Sequence, residues 1–226
     1  MSPVSEAATR NDRQAWMAAR GAYQVVDKAK KRLAAADNPF QGSDVRARQL
    51  DLGASLTRAA ADTFRRSCSV AGTSFVATRI ADLAIDSGYH TTQHGDVSRS
   101  GGLYQSAAAC TKQAASLSID WKDALRAADG AYKGALAAAM RKNVAGAVSL
   151  FEASAEAFIR AASLAPDSSA ATRVTEQAVK AADLAGRWHP VSAPIPDASV
   201  TTMRQAAEKS ARMIADKPAN PFEQIP

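Results

Sequence analysis

Apolar side chains recur along this chain at intervals of three and four residues, the spacing that puts them on one face of an α-helix. Trp16, Ala19, Tyr23, Val26 and Leu33 predict a first helix over 5–36. Asn38-Pro39 ends it, because proline lacks a donor and disfavours helical geometry in the residue before it, so 37–43 reads as a connection. A second helix is expected from Asp44, a good N-cap, towards Asp86, either continuous or broken at Gly53 or Gly72. Its stripe is Leu56, Ala60, Phe64, Cys68, Ala71 and Phe75, continued by Val76, Ile80 and Leu83.

Between 87 and 102 the period is lost in a run rich in Ser, Gly, Thr and His, which predicts an irregular segment. Helical spacing resumes over 103–117. Asp120 can cap a further helix with Trp121, Leu125, Ala128, Tyr132 and Leu136 on one side, and Val144, Val148, Phe151, Ala155, Phe158 and Ala162 form the seam of the next. Pro166 closes that helix, and Asp167 or Ser168 can cap another that carries Val174, Ala178, Ala181, Ala185 and Trp188. Three prolines after His189 interrupt the pattern before a last expected helix over 197–215 and an extended, Pro-rich tail over 217–226.

Alternating polar and apolar segments are essentially missing. The expected fold is therefore all-α, an antiparallel bundle of about six to seven helices. One helical domain over 1–216 is the simplest organisation, with 1–86 and 103–216 as possible sub-units joined by the 87–102 segment. Alanine makes up roughly a quarter of the 226 residues, far above ordinary usage, so helices should form readily and pack closely around a few large anchors. Trp16, Tyr23, Phe64, Phe75, Trp121, Tyr132, Phe151, Phe158 and Trp188 are the expected anchors.

Phe158, Ala161 and Pro166 are placed as in the second helix of a tetratricopeptide repeat, and 135–166 is similar to that repeat only there. Ser154 stands where the repeat has alanine. The preceding helix lacks the repeat's Trp, Leu-Gly and Tyr positions, and no neighbouring copy follows at its period, so the segment is not assigned to the family.

A formal charge of +6 is modest and uneven. Lys28, Lys30, Lys31, Arg32, Arg46 and Arg48 concentrate it at the end of the first helix and beyond, where cations also complement the helix dipole. They are the candidate nucleic-acid contacts, although no recognised binding motif accompanies them. His90 and His94 have H-x-x-x-H spacing, with Asp86 and Asp96 nearby, and are the candidate metal ligands; the glutamate of a zinc protease is replaced by Thr91. Glu152 and Glu156 share a helix face and read as solvated charge. Nucleotide-binding glycine motifs and nucleophile elbows are missing, so no cofactor is implied and a non-catalytic role is preferred. Cys68 and Cys110 lack C-x-x-C spacing; a bridge between them is left open.

Phe40, Tyr89, Tyr104 and Phe222 lie outside the strong stripes or beside turns, and are the candidate anchors for a protein partner or for self-association. Neither a signal peptide nor a membrane-length apolar run is seen, so membrane insertion is not expected and cytoplasmic residence is the expectation. The function this favours is a helical protein–protein interaction or assembly protein. Nucleic-acid binding comes second, and a metal-dependent enzyme built on His90 and His94 third.

Overall fold

The computed structural model describes residues 3–92 and 97–188, and among them every regular element is an α-helix. Seven helices result: α1 Pro3–Ala36, α2 Ser43–Val70, α3 Ser74–Thr92, α4 Val97–Leu117, α5 Trp121–Met140, α6 Val144–Ser163 and α7 Ser168–Trp188. They pack antiparallel as a bundle. Consecutive helices form the hairpins α1–α2, α3–α4 and α5–α6, and these stack so that α3 lies between α1 and α5 while α4 lies between α2 and α6. α7 covers the outer side of α6. The expected helix over 197–215 and the tail over 217–226 lie outside the described residues.

Two apolar clusters hold the helices together. The larger draws on all seven helices around Phe64, Ile80, Leu103, Tyr104, Leu150 and Phe151, and the smaller joins the α5–α6 hairpin and the end of α4 to α7 around Phe158 and Val174. Most other core positions are alanine, so the helices approach closely and small changes in side-chain size decide what fits. Ser154, at the position where a tetratricopeptide repeat has alanine, is buried in α6 and donates to the Ala128 carbonyl of α5 at 2.9 Å.

Helix ends are set by local chemistry. Asp120 caps α5 by accepting from Lys122 N, and Asp167 caps α7 by accepting from Ala170 N at 2.7 Å. Between α5 and α6 the chain turns through Lys142, whose φ of 60° is left-handed. Asn143 N reaches Ala138 O and Lys142 N reaches Ala139 O, the paired bonds of a Schellman stop. Asn143 then accepts from Gly146 N as the α6 cap and donates from Nδ2 to Ser100 Oγ at 2.7 Å, tying this turn to α4.

The structure corrects several expectations. Only 93–96 of the expected irregular stretch 87–102 falls outside the described helices: 87–92 completes α3 and 97–102 begins α4. The small residues of 87–92 serve packing rather than turns. Thr91 and Thr92 are buried and return their hydroxyls to carbonyls of the preceding turn, and Gly88 lies under the Tyr104 ring. Gly101-Gly102 accordingly sits within α4 rather than before its first turn. Asp44 is inside the first turn of α2, whose N-cap is Gly42, without a side-chain cap bond. Gly72 does mark a break, whereas Gly53 continues α2; a Cβ on Gly53 would stand 2.6 Å from Leu33 Cδ2, so that glycine lets α2 close on α1. Phe75, Leu136 and Trp188 are exposed instead of core.

Candidate functional site

The break at Gly72 creates the most distinctive surface of the bundle. Asp12 of α1 reaches across to the α2–α3 connection and accepts from Gly72 N at 2.8 Å, from Thr73 N at 3.1 Å and from Thr73 Oγ1 at 2.8 Å. A single carboxylate therefore takes both backbone donors of the α2–α3 connection and fixes it against α1, while Thr73 Oγ1 accepts from Val76 N in the first turn of α3 at 3.4 Å. Gly72 permits this approach, since a Cβ there would stand 3.1 Å from the Ala8 backbone.

Because α2 ends before α3 begins, the buried stripe is rotated between them. In α3 it runs through Ser74, Ala77, Ala81, Ala84 and Gly88, which turns Phe75 out of the core with 59% of its surface exposed. Beside it lies half-buried Trp16 of α1, over whose ring the Arg79 guanidinium sits 5.9 Å from the centroid, within cation–π range. Asp12, Arg13, Trp16, Phe75, Val76 and Arg79 line an open groove of about 610 Å³. Its floor is aromatic and aliphatic, and its rim carries two guanidinium groups. Such a surface can hold an apolar side chain flanked by a carboxylate; it brings together no nucleophile and base.

The four interaction candidates taken from the sequence fare differently. Phe40 stands in the α1–α2 connection, 95% exposed. Tyr89 is half-buried on α3, with the Arg141 guanidinium 4.7 Å above its ring and Arg141 Nη2 donating to its hydroxyl at 2.9 Å. Tyr104 is fully buried, so it offers no outward-facing anchor; the sequence placed it beside a turn that is in fact helix. Phe222 lies outside the described residues.

Among the nucleic-acid candidates, Lys28, Lys31, Arg32, Arg46 and Arg48 are exposed and Lys30 is half-buried. Lys28, Lys31 and Arg32 line a second shallow groove with Ala35, Leu52 and Leu56. Lys31 pairs with Asp27 at 3.0 Å and holds that carboxyl below the usual carboxylate range, while Arg32 donates to Gln49 at 3.4 Å. Of the metal candidates, His90 Nε2 approaches Asp86 Oδ1 at 3.3 Å, and Asp86 also accepts from the Tyr23 hydroxyl at 2.7 Å. His94 and Asp96 lie outside the described residues, and among those described no three His, Cys, Asp or Glu side chains could hold a metal ion together. Glu156 pairs with Lys112 at 2.7 Å.

Sequence reading missed the Trp16–Phe75–Arg79 groove because it ran one stripe through Gly72. A signal was present: Gly-Thr-Ser in front of Phe75 is a helix start, and placing Phe75 in a first turn takes it off the stripe set by Ala77, Ala81 and Ala84.

No described helix is long and apolar enough to cross a membrane. No family model and no curated protein matches the chain. A solved structure described as "Computational Design of Self-Assembling Cyclic Protein Homooligomers" is similar to it, with a TM-score of 0.51 and 15% sequence identity over 96% of this chain and 97% of the other. The likeness is one of fold.

Proposed function

We propose that this chain is a non-catalytic helical interaction or assembly protein that binds a protein segment, from another protein or from a second copy of itself, in the groove between α1 and α3. The observation that carries this reading is the exposed Phe75 beside Trp16, held on a backbone that Asp12 makes rigid. An exposed aromatic on a fixed frame has little conformational entropy left to lose on binding, which is why such residues dominate interfaces. Arg13 and Arg79 at the rim favour an acidic residue next to the partner's apolar anchor. The similar designed structure is described as self-assembling, which makes a second copy one candidate occupant.

Sedimentation velocity across a concentration series, together with recovery of partners from the native source, tests the reading. Phe75→Ala is expected to weaken the association at least tenfold while helical circular dichroism stays unchanged. Equal association by the variant and the parent chain would contradict it. Nucleic-acid binding is a second reading, supported by the exposure of Lys28, Lys31 and Arg32 along one groove; retention of DNA or RNA that falls steeply with added salt is its signature.

A further inference from the structure

Cys68 and Cys110 are both free and buried, and they belong to helices that face each other, α2 and α4. The register between these helices is fixed by side chains of α4 reaching carbonyls of α2. Ser106 Oγ donates to Ala61 O at 2.8 Å, and about one turn further on Cys110 Sγ donates to Phe64 O at 3.8 Å. In an α-helix the carbonyl of Phe64 accepts from the N–H four residues later, which is that of Cys68. The Cys110 sulfur therefore sits against the turn that carries Cys68. Alanines and Gly102 line this crossing, where a Cβ on Gly102 would meet Ala61 Cβ at 3.6 Å, an ordinary contact, so small side chains separate the two helices.

The structure assigns Cys68 and Cys110 to one latent cystine site, a modification that fastens α2 of the first hairpin to α4 of the second. The oxidant it needs is a low-molecular-weight disulfide of the glutathione class. One cysteine thiolate attacks that disulfide and releases one glutathione thiol; the other cysteine then attacks the mixed disulfide and releases the second. Two protein thiols become one cystine, and the oxidant leaves as two thiols carrying the electrons and protons. Burial pushes the Cys110 thiol well above its ordinary value, which keeps it protonated and slow to react in the closed bundle. The bond is therefore made while the chain folds, and once made it is shielded from reductant by the same packing.

The test is to refold the full chain in a glutathione redox buffer and in reductant alone. After oxidative refolding the intact mass should fall by two hydrogens, with no alkylation of the denatured protein by iodoacetamide and a peptide linking positions 68 and 110. The melting temperature should rise by roughly 5–10 °C relative to the reduced chain. Cys68→Ser and, should a buried serine prevent folding, Cys68→Ala should abolish both the mass change and the shift. Two alkylatable thiols after oxidative refolding, mixed disulfides or linked dimers in place of the internal bridge, or a bridge that lowers the melting temperature would each overturn the assignment.

Discussion

Tyr104 and Phe75 sit towards opposite ends of the bundle, and the packing around them explains why one aromatic is enclosed and the other displayed. Tyr104 lies in a cradle made by glycines on two neighbouring helices: a Cβ on Gly88 of α3 would stand 2.9 Å from its ring, and one on Gly146 of α6 2.7 Å away. Phe75 has no such cradle. The helix that would have carried it inward stops at Val70, and Asp12 fixes α3 in an orientation that leaves the ring beside Trp16 at the surface. In an interior built mostly of methyl groups, the Tyr104 ring is enclosed because two opposing helices give up even the methyl.

Cutting Tyr104 back is the strongest way to break this contrast. Tyr104→Ala should cost about 3–5 kcal/mol, because the rigid alanine-rich walls cannot collapse into the space left behind. Denaturant unfolding with an unchanged slope checks it. Filling the cradle should cost less: Gly146→Ala gains helix propensity of about 0.5–1 kcal/mol but drives a methyl into the ring and the Asn143 cap, for a net loss of about 1–3 kcal/mol in the same measurement.

The hydroxyl of Tyr104 gives a pH signature. It is buried without a hydrogen-bond partner among the described residues, and burial pushes the phenol up to about 12. An unfolded tyrosine ionises near 10. Between those values the unfolded chain has released a proton that the folded chain keeps, so the contribution of Tyr104 to stability should be constant below about pH 10 and be lost as pH rises towards 12. Tyr104→Phe should remove that loss and cost little or nothing at neutral pH, because it deletes an unpaired buried hydroxyl. The remaining alkaline loss belongs to the Cys110 thiol, which burial holds well above its ordinary value, and to Tyr23, whose phenol is raised chiefly by its hydrogen bond to Asp86. Smallest of all should be Phe75→Ala, within about 0.5 kcal/mol of the parent in stability, since its effect falls on association.

The all-helical bundle, the caps at Asp120 and Asp167 and the buried Phe64, Phe151 and Phe158 were legible because periodicity and local chemistry determine them. The exchange of roles between Tyr104 and Phe75 was not. Ser87, Gly88, Thr91 and Thr92 have the composition of a loop, yet they are helical: Gly88 makes room for the ring of Tyr104, and the two threonine hydroxyls bond to carbonyls of the preceding turn. That depends on which helix lies opposite, information that spacing along one helix does not hold. The groove was hidden for a related reason: Asp12 and Gly72 are separated by sixty positions, and their bond sets the orientation of Phe75.

Hydrogen exchange comparing the free chain with its associated state, self-assembled or bound to a recovered partner, tests the central claim most directly. The expected result is new protection at 12–17 and 72–80, with amides around Gly88 and Gly146 unchanged because that end is already closed. Protection confined to the Phe40 connection or to the basic end of α1, with 72–80 exchanging as in the free chain, would contradict it.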